Sequence, residues 1–474
     1  MISKSIKKRF VTHPKPIASK TMESISNRHC ILASKIGFKI VISDFKSMAK
    51  SLLFSFCLLI FVFGCSNSSK NSENTIKVWH IQNLDSQAAI KEKAGERFKK
   101  ENPDYDYQMS PMQNDAYKTQ IQIALGANNA PDIFSIWGGG TMIEYIKSGK
   151  IIDLTPYIAK YDLSNKLIPV SLSQVSYEGK IWAVPVESIV IAMVLYNKEM
   201  FEKNGWQVPK TVGELEILMN KMLAKGIKPF ALANKTKWTG SMYYMSLVQR
   251  IGGTKVFYDA ANRVNGGSFE NPAFIEAGKK LVEWVDKGYF NEGFNGLDDD
   301  SGQARALLYT DKAAMELIGT FRLASMSSEN PNYVSKLDGF VFPAIENGRG
   351  NPKELVGTAG DNFYAIASTS KYPEEAFKLI TKFIDEEAVK ESMAIGRIPP
   401  VVGVNPSDII NKKVVEAVSQ APEIQLWYDQ YLPPELAQVH LDTLQAMMGK
   451  TMTPEQACKQ LEAKAMEILG PSSK

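Results

Sequence analysis

Tryptophan residues that end a strand or lie in a polar segment are the first candidates for ligand chemistry in this chain. Trp137 ends an apolar segment at residues 133–137 and is followed by three glycines, and Trp79 ends the first predicted strand. Trp238 and Trp427 lie in polar segments. In open α/β sheets ligands bind beyond the carboxyl ends of the strands, so a ring at such an end can face a ligand. For all four residues a packing role remains the alternative.

Polar side chains near the predicted strands form a second set of candidates. They are Gln82, Asn83, Asp85, Glu187, Arg322, Asp361 and Asn362. An ionised carboxylate oxygen accepts several hydrogen bonds, which suits a ligand that carries many hydroxyl groups. Arg322 could hold an acidic substituent or a hydroxyl group, and simple exposure is its alternative. For the carboxylates, hydrogen bonding within a hinge or solvation remains open.

Metal and cofactor chemistry finds no support in the sequence, so no cofactor is expected. Four cysteines and four histidines are present, and none of them has the spacing of a metal site. The run Asp298-Asp299-Asp300 lacks the spaced ligands of a calcium loop and is interpreted as a solvated turn. No Gly-x-Ser-x-Gly, zinc-helix or phosphate-loop motif occurs, although a pair of glycosidase carboxylates remains an alternative.

The elements that must position these residues alternate between strands and helices. A strand is predicted at 75–81, helices at 86–101 and 116–125, and a strand near 133–137. Further helices are predicted at 211–225, 272–287 and 301–310. A long apolar stretch at 189–195 suits a strand that connects two lobes. The alternation predicts an α/β fold with a largely parallel sheet.

The N-terminal region predicts export. Residues 52–63 are twelve uncharged residues, apolar except for Ser55, that end at Gly64-Cys65, and at about 1.5 Å per residue they are too short to cross a bilayer core of about 30 Å. They suit the apolar region of a secretory signal, and the segment 62–65 resembles the lipobox of bacterial lipoproteins. Cys65 is therefore the predicted lipidation site. We interpret 1–47 as a non-native or extended leader, 48–64 as the signal and 65–74 as a polar tether, which leaves Met1 or Met48 as the start.

Removal of the leader changes the charge of the chain. Residues 1–64 hold eleven Lys and Arg residues but only two acidic residues, so the formal net charge moves from +4 to −5. The basic character belongs to the leader and gives no support for a nucleic-acid partner.

Six segments occur in the order known from one protein family. They are APDIF at 130–134, GKIIDLT at 149–155, EGKIWAVP at 178–185, LYNKEMF at 195–201, AAM with GTF within 313–321, and GDNFYAI at 360–366. Together they resemble the family 1 extracellular solute-binding proteins of ABC sugar importers. The resemblance implies a two-lobed, periplasmic-binding-protein-like α/β fold with crossover strands and discontinuous lobes. We expect 75–185 in the first lobe, 186–315 in the second, 316–360 back in the first, and 361–474 in the second lobe and C-terminal helices.

The resemblance also implies a function. We expect a monomeric, lipid-anchored extracytoplasmic receptor that binds a carbohydrate and delivers it to an ABC permease, without catalysis. Sugars stack their apolar faces on aromatic rings and need directed polar partners. Related proteins carry a stacking aromatic near Trp137 and often a tryptophan at the position of Phe321, and Glu187 lies where they often hold a hydroxyl group. A non-sugar solute or an exported glycoside hydrolase remains the alternative.

Overall fold

The computed structural model describes residues 74–473. The leader segments 1–47 and 48–64, Cys65 and all but the last residue of the tether lie outside the described residues. The strands are β1 (Thr75–His80), β2 (Asp106–Pro111), β3 (Ile133–Ile136), β4 (Ser176–Tyr177), β5 (Lys180–Ile181), β6 (Val184–Pro185), β7 (Ile189–Asn197), β8 (Lys228–Phe230), β9 (Ala313–Gly319), β10 (Leu337–Val341), β11 (Leu355–Ala359), β12 (Phe363–Ile366) and β13 (Ile424–Gln425).

Helices connect these strands and cover the sheets. They are α1 (Asp85–Glu101), α2 (Asn114–Gly126), α3 (Gly140–Lys147), α4 (Thr155–Lys160), α5 (Leu163–Lys166), α6 (Pro169–Gln174), α7 (Lys198–Asn204), α8 (Val212–Leu223), α9 (Trp238–Gly252), α10 (Thr254–Asn262), α11 (Pro272–Asp286), α12 (Gln303–Tyr309), α13 (Arg322–Glu329), α14 (Pro331–Val334), α15 (Pro373–Lys382), α16 (Glu386–Ala394), α17 (Ile409–Gln420), α18 (Tyr428–Tyr431), α19 (Pro434–Met448) and α20 (Pro454–Leu469). A 3₁₀ turn lies at Phe294–Gly296. Within the described residues, none of the helices combines the length and apolar character needed to cross a membrane.

The first sheet has the strand order β2-β1-β3-β12-β6. β1 pairs in parallel with β2 and β3, whereas β12 runs antiparallel to β3 and β6. Helix α15 and helix α16 pack against α1, and the Arg97 side chain on α1 donates to Asp385 at 2.8 Å. We call this sheet and the helices that pack on it the first lobe.

The second sheet has the order β13-β11-β7-β9-β8, with β10 also paired to β7. Every residue of β7 is buried, as its continuous apolar sequence requires when both faces are covered. The prediction of a largely parallel sheet is wrong here, because β7 runs antiparallel to β9, β10 and β11. We call this sheet and its helices, including α19 and α20, the second lobe.

The division of the later chain between lobes also differs from the prediction. Segment 316–360 was expected in the first lobe, but β10 and β11 within it pair with β7 of the second sheet. The chain returns to the first lobe only with β12, and the helices from α17 onward belong again to the second lobe. Sequence periodicity identifies a strand but not its partner, which explains the error.

Three chain segments cross between the lobes side by side. The first crossing follows β6, the second precedes β12, and the third follows α16. Ser188 lies where the three meet. The Asp361 N–H donates to the Ser188 carbonyl at 2.8 Å, and the Ile398 N–H donates to the Ser188 hydroxyl at 2.7 Å. The Ile189 N–H donates to the Ile398 carbonyl at 2.7 Å. These bonds join the three crossings into one hinge.

Several local predictions are confirmed. Helices α1, α2, α8, α11 and α12 lie where helical spacing predicted them. Helix α20 begins with a capping box, in which the Thr453 side chain accepts from the Gln456 N–H at 3.2 Å and the Gln456 side chain accepts from the Thr453 N–H at 2.9 Å.

Candidate ligand-binding cleft

A cavity of about 310 Å³ lies between the lobes. Its first-lobe wall comes from the segments after β1, β2 and β3, and its second-lobe wall comes from the starts of α9 and α13 and from α18. The carboxyl ends of the three parallel strands therefore meet at this cavity, as expected for an α/β sheet. Its volume is at the lower end of the roughly 300–1,000 Å³ of small-molecule sites.

Nine residues that the sequence singled out line this cavity. They are Gln82, Asn83, Trp137, Trp238, Phe321, Arg322, Asp361, Asn362 and Trp427. Three others do not line it. Trp79 packs against the core around Trp137, Asp85 is exposed as the first residue of α1, and Glu187 is buried at the hinge.

Aromatic rings from both lobes face the cavity. Trp137 is 9% exposed, and the Lys118 ammonium group lies 5.0 Å from the centre of its ring. On the other side, the rings of Trp238 and Phe321 meet edge to face at 6.0 Å, and Trp427 is 3% exposed. The Trp238 Nε1 atom is buried without a hydrogen-bond partner in the protein. An indole N–H that has no protein acceptor beside a cavity is suited to donate to a ligand.

Two of the three glycines after Trp137 lie against the backbone of the second lobe. Gly139 and Gly140 leave room for the backbone of α18 and the residue after it, whereas a Cβ atom on Gly138 would lie 2.9 Å from the Gln174 carbonyl oxygen. A Cβ atom on Gly139 would lie 2.5 Å from the Gln430 carbonyl oxygen, and one on Gly140 would lie 2.2 Å from the Leu432 carbonyl oxygen. Gly139 also has φ +70°, which glycine adopts without strain. The glycines therefore allow the second lobe to approach the start of α3.

An ion-pair network at the hinge holds one cation at the edge of the cavity. The Glu187 carboxylate lies 2.7 Å from Lys91 and 2.7 Å from Arg397, and it accepts from the Tyr364 hydroxyl at 2.9 Å. Burial opposes its charge, but Lys91 and Arg397 outweigh burial and hold the pKa of Glu187 below its ordinary value. Arg397 lines the cavity and also donates to the Gln82 amide oxygen at 2.9 Å. Glu187 therefore fixes Arg397, which in turn fixes Gln82.

A second network holds the charged groups on the opposite wall. Arg322 lies 2.6 Å from Asp299 and 3.2 Å from Glu316, and all three side chains are buried. Arg305 binds Glu329 through two nitrogens, at 2.8 and 2.7 Å. The interpretation of Asp298–Asp300 as a solvated turn is thus wrong for Asp299, because its carboxylate partners a buried guanidinium.

Three half-buried carboxylates face the cavity without an ion-pair partner among the described residues. Burial raises the pKa of Asp300 to about 6 and, against the pull of Arg397, the pKa of Asp361 to about 6. Burial also raises the pKa of Asp429. Beside Asp361, the amide oxygen of Asn362 is buried without a partner, and Asn362 has φ +65°. Such acceptors can receive hydrogen bonds from ligand hydroxyl groups.

The described residues contain no cluster of His, Cys, Asp and Glu side chains that could hold a metal ion.

Comparison with known proteins then decides the family. Residues 82–390 match the family model described as bacterial extracellular solute-binding protein, and this match spans more than half of the chain. The chain belongs to this family.

Relatives of this solute-binding protein extend the likeness along most of the chain. It is 23% identical to the multiple sugar-binding protein of Streptococcus mutans, over 71% of this chain and 78% of that protein. A solved structure from work on xylan utilisation by Caldanaerobius polysaccharolyticus is 32% identical, with TM-score 0.75, over 82% of this chain and 99% of the other. A chitin oligosaccharide binding protein has the same fold, with TM-score 0.75 and 23% identity over 83% of this chain and 98% of the other.

Membership has two consequences for this solute-binding protein. The family is one of binding proteins, and the relatives named for multiple sugars and for chitin oligosaccharides are binding proteins, not enzymes. The family also implies a location outside the cytoplasm.

Several cavity residues of this solute-binding protein were missed by sequence reasoning. They are Gln87, Gln113, Asn114, Lys118, Asp299, Asp300, Arg305, Glu329, Arg397, Asp429 and Gln430. Gln113 and Asn114 follow β2, so the strand-end argument that found Gln82 and Trp137 could have found them. Arg397 stands as a single cation in the segment Gly396-Arg397-Ile398-Pro399-Pro400, a signal that can be seen in the sequence. Asp429 had no such signal, because its place depends on how α18 meets the first lobe.

Proposed function

We propose that this protein binds a neutral carbohydrate in the cleft between its lobes and delivers it to the permease of an ABC importer. The observation that carries this proposal is a cavity that combines aromatic rings from both lobes with amide and carboxylate side chains. Sugars need both, because their C–H faces are apolar and their hydroxyl groups require directed partners. The relatives named for multiple sugars and for chitin oligosaccharides support the same class of ligand.

Two sets of side chains make the contacts in this proposal. The rings of Trp137, Trp238, Phe321 and Trp427 stack on the ligand. The polar partners are Gln82, Asn83, Asp361 and Asn362. Trp79, Asp85, Glu187 and Arg322 have other roles: Trp79 packs, Asp85 is exposed, Glu187 positions Arg397, and Arg322 is held by Asp299 and Glu316.

The charge of the cleft favours a neutral ligand over an acidic one. Arg305 and Arg322 are each paired with a carboxylate within 2.7 Å, and Arg397 shares the Glu187 carboxylate with Lys91. The remaining acids, Asp300, Asp361 and Asp429, face a single cation, Lys118, among the residues that line the cavity. A ligand carboxylate would enter a partly desolvated site with excess negative charge, and like charges brought together in this way are unfavourable.

Binding is the whole activity in this proposal, and the protein acts as a monomer. The chain is exported and anchored to the cell membrane through lipid on Cys65, which lies outside the described residues. The support for the anchor is the apolar run at 52–63 followed by Gly64-Cys65. Two lobes joined by a hinge can close around a ligand and present the closed form to a partner.

Thermal-shift measurements with a carbohydrate panel test the function. The panel contains neutral sugars, uronic acids, amino sugars and a polyamine, each at increasing concentration. A neutral sugar that binds with dissociation constant Kd raises the apparent stability by RT ln(1 + [L]/Kd), about 2.7 kcal/mol at a hundredfold excess over Kd. Stabilisation by the polyamine alone would indicate a non-sugar receptor. Release of shorter products from an oligosaccharide would indicate a glycoside hydrolase.

A further inference from the structure

A second cavity adjoins the one described above. It has a volume of about 140 Å³ and lies between α2 and α3 of the first lobe and α18 and α19 of the second. We call the cavity of about 310 Å³ the main compartment and this one the side compartment. Both compartments are bounded by residues of both lobes, so both belong to the same cleft.

Four residues line both compartments and form the partition between them. They are Lys118, Trp137, Asp429 and Gln430. Lys118 and Trp137 come from the first lobe, whereas Asp429 and Gln430 come from the second. The partition is therefore divided between the two lobes and separates when they move apart.

The lining of the side compartment has the same mixed character as the main one. Trp137 and Tyr145 contribute rings, Gln122 and Gln438 contribute amides, and Thr141 contributes a hydroxyl group. Rings beside amides and hydroxyl groups suit a sugar unit, for the reasons that apply in the main compartment. Trp137 borders both compartments, so its ring can contact two consecutive units of one ligand.

We propose that the side compartment is a subsite for a further unit of the ligand, so that the natural ligand is a neutral oligosaccharide that extends past Trp137 into both compartments. This inference rests on the proposed function. It adds that the affinity depends on the number of sugar units in the ligand and that residues of α3 and α19 contact the additional unit.

The test measures affinity against ligand length. Calorimetry with the full chain uses xylo-, malto- and chito-oligosaccharides, each from the monosaccharide to the hexasaccharide. In the series that binds, affinity is expected to rise as units are added until the side compartment is filled, and then to level off. A Kd that is independent of length would overturn the inference, whereas failure of every carbohydrate to bind would overturn the proposed function instead.

Two variants fill the side compartment without touching the main one. Thr141→Trp on α3 and Leu441→Trp on α19 start from half-buried residues that line only the side compartment. Each should weaken the longest bound oligosaccharide by about tenfold or more, equivalent to about 1.4 kcal/mol, and should leave the shortest one within about twofold. Two variants on opposite walls are compared so that the conclusion does not depend on the correct folding of either one alone.

Ser325→Trp provides the matched control, because Ser325 lines only the main compartment. It should weaken short and long ligands alike. Equal effects of Thr141→Trp and Leu441→Trp on all lengths would show that the side compartment is not a subsite.

Discussion

The Arg397 guanidinium lies 2.7 Å from the Glu187 carboxylate, yet only Arg397 reaches the cavity. Glu187 is also 2.7 Å from Lys91, so one buried carboxylate is shared by two buried cations. A residue that does not line the cleft thus holds in position one that does.

Substitution of Glu187 should lower stability strongly. Glu187→Gln leaves Lys91 and Arg397 without their charged partner, and uncompensated buried charges cost about 3–5 kcal/mol. Urea unfolding measures the loss. The control is Glu199→Gln, which removes a surface ion pair to Lys336 whose side chains are 56% and 42% exposed, and exposed pairs contribute only about 0–1 kcal/mol. Equal losses in both variants would contradict the role assigned to Glu187.

Trp137→Ala should affect both folding and binding. Trp137 is 9% exposed, so its removal should lower the free energy of unfolding, by about 3–5 kcal/mol for a buried aromatic residue. Its ring also faces the cavity, so affinity should fall by about tenfold or more, equivalent to about 1.4 kcal/mol. Trp206→Ala is the matched control, because Trp206 is 7% exposed in the second-lobe core and does not line the cavity. Calorimetry and unfolding on both variants separate the effect on ligand affinity from the effect on stability. Equal ligand affinities for Trp137→Ala and Trp206→Ala would refute the stacking assignment.

Gly140→Ala should disturb the contact between the lobes. The added methyl group would meet the Leu432 carbonyl oxygen at 2.2 Å, which forces the two backbones apart. We expect weaker ligand binding and a loss of stability of roughly 1–3 kcal/mol from overpacking. Small-angle scattering should show a larger radius of gyration. Gly126→Ala serves as the control, since a Cβ atom there meets no atom within 4 Å, and a wild-type scattering curve for Gly140→Ala would contradict the prediction.

Glu316 should make stability depend on pH. Burial, only partly offset by Arg322, raises its pKa from 4.5 to about 7. The folded state therefore binds a proton that the unfolded state has already released, so the free energy of unfolding should fall as pH rises from about 4.5 to about 7. A tenfold difference in proton affinity between the two states corresponds to about 1.4 kcal/mol. Glu316→Gln should remove this contribution, and an identical pH profile for wild type and variant would argue against it.

Cys65→Ser should release the protein from the membrane fraction. Lipid chains supply about 0.8 kcal/mol of membrane binding for each buried methylene group, so loss of the acceptor residue should abolish anchoring. Cell fractionation measures the distribution, and mass spectrometry of the membrane-bound form measures the modification. Recovery of membrane-bound protein with an unmodified cysteine would contradict the anchor. The mass of the uncleaved precursor reveals whether translation starts at Met1 or Met48.

The parts of the cleft that follow from local sequence were predictable. Gln82 and Trp137 lie directly after apolar strands, and the carboxyl ends of parallel strands meet at one edge of a sheet. The role of Gly140 was not predictable, because it depends on the approach of Leu432 from a distant part of the chain. The antiparallel pairing of β7 with β10 and β11 could not be predicted either, because sequence periodicity specifies the faces of a strand but not its neighbours in the sheet.

The crossing pattern also has a consequence for the order in which the protein folds. In the first sheet Phe363 of β12 pairs with Ile136 of β3, and Tyr364 pairs with Val184 of β6, so β12 joins two strands that are synthesised much earlier. The sheet of the first lobe therefore cannot be completed until most of the chain has been synthesised. Pairings between residues so far apart in sequence slow folding. A chain that must cross a membrane before it folds benefits from this delay, because its first lobe stays incomplete while translocation proceeds.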